Sequence, residues 1–199
     1  MNERGTKNLV EEAKEYVVQA IRGVGDVAGA IVDATSSALV RALKGTRATG
    51  SELRALIADT ITGTIQGVAQ VGGEVESAAS SIMVGALRGA KQVGKTGIEA
   101  VSATAAALVK ESAEVGGDVG RTAKSAVEGA IKGARDVGMT AEQAASAAAS
   151  GAMIGAGEIS NTALDQVRNV VTKTISGVKV VITEPFRSNE AQRSQERAG

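Results

Sequence analysis

The chain has 199 residues, with 22 Lys+Arg against 22 Asp+Glu, and neither Cys nor His. Zero net charge sets up no field that would gather nucleic acid or an acidic membrane. Without Cys or His there are no disulfides, thiol nucleophiles, Fe–S clusters or zinc sites of the usual kind, and the side chain best suited to acid–base work near pH 7 is missing.

Residues 1–18, MNERGTKNLVEEAKEYVV, read as a charged helical lead-in. They lack the apolar stretch of a signal peptide, so a cytoplasmic location is expected. From residue 19 a repeat takes over: ten-residue segments begin at 19, 41, 63, 85, 107, 129, 151 and 173, each 22 residues after the last. The third residue is always aliphatic (Ile21, Leu43, Ile65, Leu87, Val109, Ile131, Met153, Ile175), and the fifth is Gly in every copy except the one with Glu111. Fixed spacing over this length means one unit duplicated in tandem. Residues 19–182 are therefore read as a single helical repeat domain.

Twenty-two residues make six helical turns, so positions 11 apart share a direction. Aliphatic and Ala residues fall on one broad face, and Lys, Arg, Asp, Glu and Ser fall opposite, which is the pattern of an amphipathic helix. A second edge carries paired glycines, Gly63/Gly67, Gly85/Gly89, Gly129/Gly133 and Gly151/Gly155. Gly inside a helix costs about 0.5–1 kcal/mol relative to Ala, and close approach by a neighbouring helix is the expected compensation.

Does the helix break in each repeat? Gly50, Gly72, Gly94, Gly116 and Gly138 are each followed two residues later by Glu52, Glu74, Thr96, Asp118 or Thr140, and Thr162 continues the series. Gly as C′ residue followed by an N-cap punctuates a tight helix–helix connection, with Thr96–Glu99, Thr140–Gln143 and Thr162–Asp165 as capping boxes. The expected helices are about 52–71, 74–93, 96–115, 118–137, 140–159 and 162–182. The first copy has Ala28, Gly29 and Ala30 at the turn positions, so a single longer helix from Lys7 to Lys44 is expected, with 45–51 as the first turn. The fold class is all-α: tandem amphipathic Gly/Ala-rich helices of about 20 residues in an antiparallel up-down array. The alternative is one continuous helix of about 240 Å on an 11-residue repeat. Residues 183–199 read as a disordered polar tail, in which Phe186 docks back onto the last helix.

No non-repetitive polar cluster stands out, and no catalytic, cofactor-binding or metal-ligating residue is assigned. VGGEV (71–75) and VGGDVG (115–120) lack the strand and Lys of a phosphate loop and read as turns. Arg22, Lys44, Arg88, Lys110 and Lys132 recur at one repeat position, some with Asp26, Glu114 or Asp136 four residues on, and read as solvated pairs. The uncharged run 143–157 is too short and weakly apolar to span a bilayer. The periodicity of 19–182 resembles that of exchangeable apolipoproteins, synucleins and granule coat proteins, without a motif that carries a site over. The expected function is a non-catalytic, self-associating scaffold or protein-interaction surface, because terminal helices would leave one contact surface unmet. The alternative is an amphipathic coat on a membrane or hydrophobic granule. The expected partner is a second copy or another protein, not nucleic acid or a small molecule.

Overall fold

The computed structural model describes residues 3–95 and 97–182, which hold eight α-helices and no strand. They are α1 (Glu3–Ile21), α2 (Val27–Leu43), α3 (Gly50–Gln70), α4 (Val75–Gln92), α5 (Ile98–Glu114), α6 (Val119–Gly133), α7 (Ala141–Ile159) and α8 (Asn161–Val171). A single 3-10 turn, Arg135–Val137, extends α6. The continuous-helix alternative is therefore excluded.

Four of the connections have one chemistry. Gly72, Gly94, Gly116 and Gly138 have φ between 67 and 80°, a region open to Gly without the Cβ penalty. The next residue then donates its N–H five residues back: Gly73 to Val68, Lys95 to Ala90, Gly117 to Ser112 and Met139 to Ala134, at 2.8–3.0 Å. This is the Schellman closure of a helix C-terminus. The helix that follows starts on a cap where the sequence supplies one. Asp118 accepts the Arg121 N–H at 3.0 Å. Thr140 and Gln143 satisfy each other's backbone N–H groups in a capping box.

The structure departs from the sequence reading at both ends. The expected helix over Lys7–Lys44 is broken: the chain turns at Gly23 (φ 81°) and restarts at Asp26, which accepts the Gly29 N–H. The next C′ residue is Gly45 (φ 77°), not Gly50, which opens α3. Thr49 and Ser160, rather than Glu52 and Thr162, occupy the N-cap positions of α3 and α8. The last helix stops at Val171 instead of 182. Beyond it, Ser176 (φ 50°) and Gly177 (φ 78°) form a two-residue turn, and Ile175 and Val178 exchange backbone hydrogen bonds. Positive φ at both central residues is the hairpin geometry, and the β-branched run Val180–Val181–Ile182 favours extended chain over helix. Thr96 and residues 183–199, including Phe186, lie outside the described residues.

The helices pack as an up-down array in two layers. The most extensive contacts join helices two apart: α1, α3, α5 and α7 in one layer, and α2, α4, α6 and α8 in the other. Alternation makes helices of one layer parallel and sequence neighbours antiparallel. The core runs between the layers, with Leu39, Ile57, Ile61, Ile65, Ile82, Met83 and Leu108 fully buried. In α7 the buried positions are Ala and Gly apart from Met153. Small side chains bury little area each, at roughly 25 cal/mol per Å², so close approach must supply the packing. Buried Thr35, Thr60, Thr64 and Thr104 each donate to the carbonyl four residues back, leaving no hydroxyl unmet among them.

Candidate interaction surface

Close approach occurs within each layer, at the paired glycines. A Cβ on Gly85 would lie 2.5 Å from the Val32 carbonyl oxygen, and one on Gly129 would lie 2.5 Å from that of Ser80. Gly63 faces the Val10 carbonyl, Gly151 that of Ser102, and Gly155 that of Ala106. In each case the wall is backbone, which cannot rotate away. The sequence indicates that a neighbour approaches here. Which neighbour it is depends on the layering: the partner is the helix two before, not the adjacent one.

The seam between α3 and α5 departs from this arrangement. There α5 brings Ala107 and Glu111 where the other later helices bring Gly. Contact across it is the least extensive among full-length helices of one layer. Glu111 is half-buried, and its carboxyl is pushed up: burial is the main cause, and the negative charges of Glu114 and Asp59 add to it, against the Thr62 hydroxyl and Lys110. Burial also raises Asp59. Glu76 goes the other way, because its carboxylate accepts the Asp118 N–H at 2.7 Å.

Over this seam and α7 lies a groove of about 790 Å³. Ala55, Ala58, Ala103 and Ala107 are among its lining residues, together with Ile98, which is 61% exposed. The ion pairs Arg54–Glu99 (3.0 Å) and Lys110–Glu158 (3.4 Å) also line it. Such exposed pairs contribute about 0–1 kcal/mol each.

The recurring cations pair differently from the sequence reading. Lys110 reaches Glu158 on α7 rather than Glu114, Arg88 on α4 reaches Asp136, and Lys132 on α6 reaches Ser80. They link helices of one layer, a relation that helical spacing along one chain segment does not reveal.

The two ends of the array differ. At the first end, Arg41 lies over the Tyr16 ring, 5.1 Å from its centroid. Gln19 and Arg41 occupy the repeat position that is Gly in α3, α4, α6 and α7. At the other end, Ile175 and Val180 are buried, and the Val181 N–H donates to Ser146 of α7. Ser146 lies two repeats after Ser102, which receives Gly151. The terminal segment thus occupies the row where a ninth helix would sit. Another groove, of about 770 Å³, lies at the first end beside Tyr16, Asp26 and Asp33.

The class defined by this architecture is an all-α, two-layered up-down helical array. Among the described residues, no three acidic side chains gather as metal ligands, and no helix is long and apolar enough to cross a membrane. Comparison with protein-family models, curated proteins and solved structures finds no match for the chain.

Proposed function

We propose that the chain is a non-catalytic helical-repeat scaffold that associates with a second copy of itself. In this reading each 22-residue unit adds one amphipathic Gly/Ala-rich helix, and the outer face of the α1–α3–α5–α7 layer is the contact surface. The observation that carries it is the Ala-lined groove over α5, with the exposed Ile98 among its lining residues. End-to-end stacking, the route expected from the sequence, is disfavoured by Gln19 and Arg41 at one end and Ile175–Ile182 at the other. The groove has a cation and an anion in each of its two ion pairs, so a copy related by a two-fold axis can set opposite charges against each other.

Sedimentation velocity across a concentration series tests this with the wild type and Ala103→Glu. Association that grows with concentration and is lost in Ala103→Glu supports the proposal. A monomer throughout, or association that Ala103→Glu leaves intact, overturns it.

The coat reading has less support, because rows such as Ile57, Ile61 and Ile65 are fully buried and would have to leave the core. Co-flotation with liposomes or oil droplets at unchanged helicity would favour it over the scaffold.

A further inference from the structure

The α7–α8 connection is built unlike the others. Each of the other connections between successive helices contains a glycine with positive φ: Gly23, Gly45, Gly72, Gly94, Gly116 and Gly138. A residue in that conformation ends a helix. Between α7 and α8 stands a single residue, Ser160, at the repeat position of Gly116 and Gly138. Its φ of −169° is ordinary extended backbone, and Ser is also an ordinary helix residue. The helical ladder lapses here only briefly. Ser160 donates to Ala156 at 3.1 Å and Leu164 donates to Ser160 at 3.0 Å. Between them, the Ala163 N–H is met by the Ser160 hydroxyl at 3.1 Å. Helical dihedrals at Ser160 would join Asn161, Thr162 and Ala163 to the carbonyls of Gly157, Glu158 and Ile159, and Ala141–Val171 would become one helix about 46 Å long.

We propose that Ser160 is the hinge of an exchange between two copies of this chain: α7 and α8 straighten into one helix, and residues 161–182 of each copy dock on α6 and α7 of the other. The contacts exchanged are those of the single chain, α8 on α6 and α7 and the segment after it on α7. Closed and exchanged forms then differ chiefly at the hinge, and protein concentration sets the balance between them. A connection of one residue that can straighten favours such exchange. Opening uncovers Ala163, Val167, Val171, Ile175 and Val180, all buried in the closed chain, and the α6–α7 surface that fits them is present on every copy.

Of the eight helices, α8 is the one best suited to leave. It is the shortest, at 11 residues. Among the described residues, the one buried side-chain polar atom without a hydrogen-bond partner is its Arg168 Nε, so its docking leaves a donor unmet. An opening of about 510 Å³ also separates its first turn from the α5–α6 turn, lined by Gly116, Gly117, Thr162, Gln166 and Ser160 itself. The hinge therefore has open space on one side. This exchange is distinct from association over the α5 groove, because none of the groove's residues takes part in it.

The chain has no Cys, so an engineered disulfide can report which copy supplies α8. A Cβ on Gly120 of α6 would lie 3.6 Å from a Val170 methyl of α8, which puts Gly120→Cys with Val170→Cys within disulfide reach. The double variant is equilibrated under reductant at several concentrations, oxidised, and run on a denaturing gel without reductant. Exchange makes the bond join two chains, so covalent dimers should appear and grow with concentration. Association over the groove keeps the bond within one chain and gives monomers on this gel. Adding Ser160→Ala removes the α8 cap and favours helix at the hinge, and it should raise the dimer fraction several-fold. Ser160→Gly, a poorer helix former, should lower it. Monomers alone at every concentration, a dimer fraction that Ser160→Ala does not raise, or equal dimers from Gly120→Cys without its partner would each overturn the exchange.

Discussion

The α5/α7 and α3/α5 seams share one helix and differ in what the later helix brings to them. At α5/α7, Gly151 and Gly155 let two backbones meet with only carbonyl oxygens and Cα atoms between. At α3/α5 the equivalent positions carry Ala107 and Glu111, and a half-buried carboxyl is held beside Asp59. The first seam gains dispersion from close contact across small residues. The second loses part of it and adds the cost of desolvating an acid. Each helix meets both its sequence neighbour and the helix two away, so altered residues in one seam make that interface weaker than its equivalents without dissolving the array.

The largest effect is expected where a side chain is forced into the tight seam. Gly155→Val would drive its branched side chain into the Ala106 backbone and should cost about 3 kcal/mol or more, read as a lower midpoint in urea. A loss below 1 kcal/mol would mean that the α5/α7 approach is not close in solution. Next comes a turn that belongs to neither seam. Gly138→Val has open space around its added side chain, so its cost is backbone alone, about 1–2 kcal/mol or somewhat more for a β-branched residue. Calorimetry should show a fall smaller than that of Gly155→Val. Thr140→Ala removes the α7 cap and should lower stability by about 1 kcal/mol; a thermal melt that rises instead would contradict the helix start at Ala141.

The smallest effect has the opposite sign and belongs to the loose seam. Burial raises Glu111, so the folded chain holds its proton more tightly than the unfolded one, and stability falls as pH rises through that window. Glu111→Gln should be more stable than the wild type at neutral pH by about 0.5 kcal/mol, a modest figure because the group is half exposed and screened. The difference should vanish at pH values well below the ordinary glutamate range. Urea melts at several pH values would show it, and a Gln variant less stable at neutral pH would place Glu111 in a favourable contact instead.

Much of the fold was legible because one chemistry recurs at one spacing. Gly72, Gly94, Gly116 and Gly138 announced four helix ends, and Thr140 and Asp118 two of the starts. Gly23 misled, because it shares its repeat position with Gly67, Gly89 and Gly155, which lie inside helices. Its use differs: Gly23 has φ 81° and nothing within 4 Å of where its Cβ would be, so it serves a turn and not a contact. The early end of α8 was signalled locally by Ser176–Gly177 and the β-branched residues after it, a signal masked by the repeat's register. The glycine edge could be read, but not which helix it faces, since layering is a property of the whole chain. The surface groove had no sequence signature beyond Glu111 as the exception in its column.

Two alanine substitutions in α7 test most directly whether backbone-to-backbone contact at glycine holds the helices of one layer together. Gly151 faces the Ser102 carbonyl, whereas Gly157, six residues further along the same helix, has nothing within 4 Å of where its Cβ would be. Urea unfolding of Gly151→Ala should show a loss of about 1–3 kcal/mol. Gly157→Ala should show a gain of about 0.5 kcal/mol from helix propensity alone. Opposite signs are the predicted result. A Gly151→Ala variant as stable as the wild type, or stabilised alongside Gly157→Ala, would contradict the account.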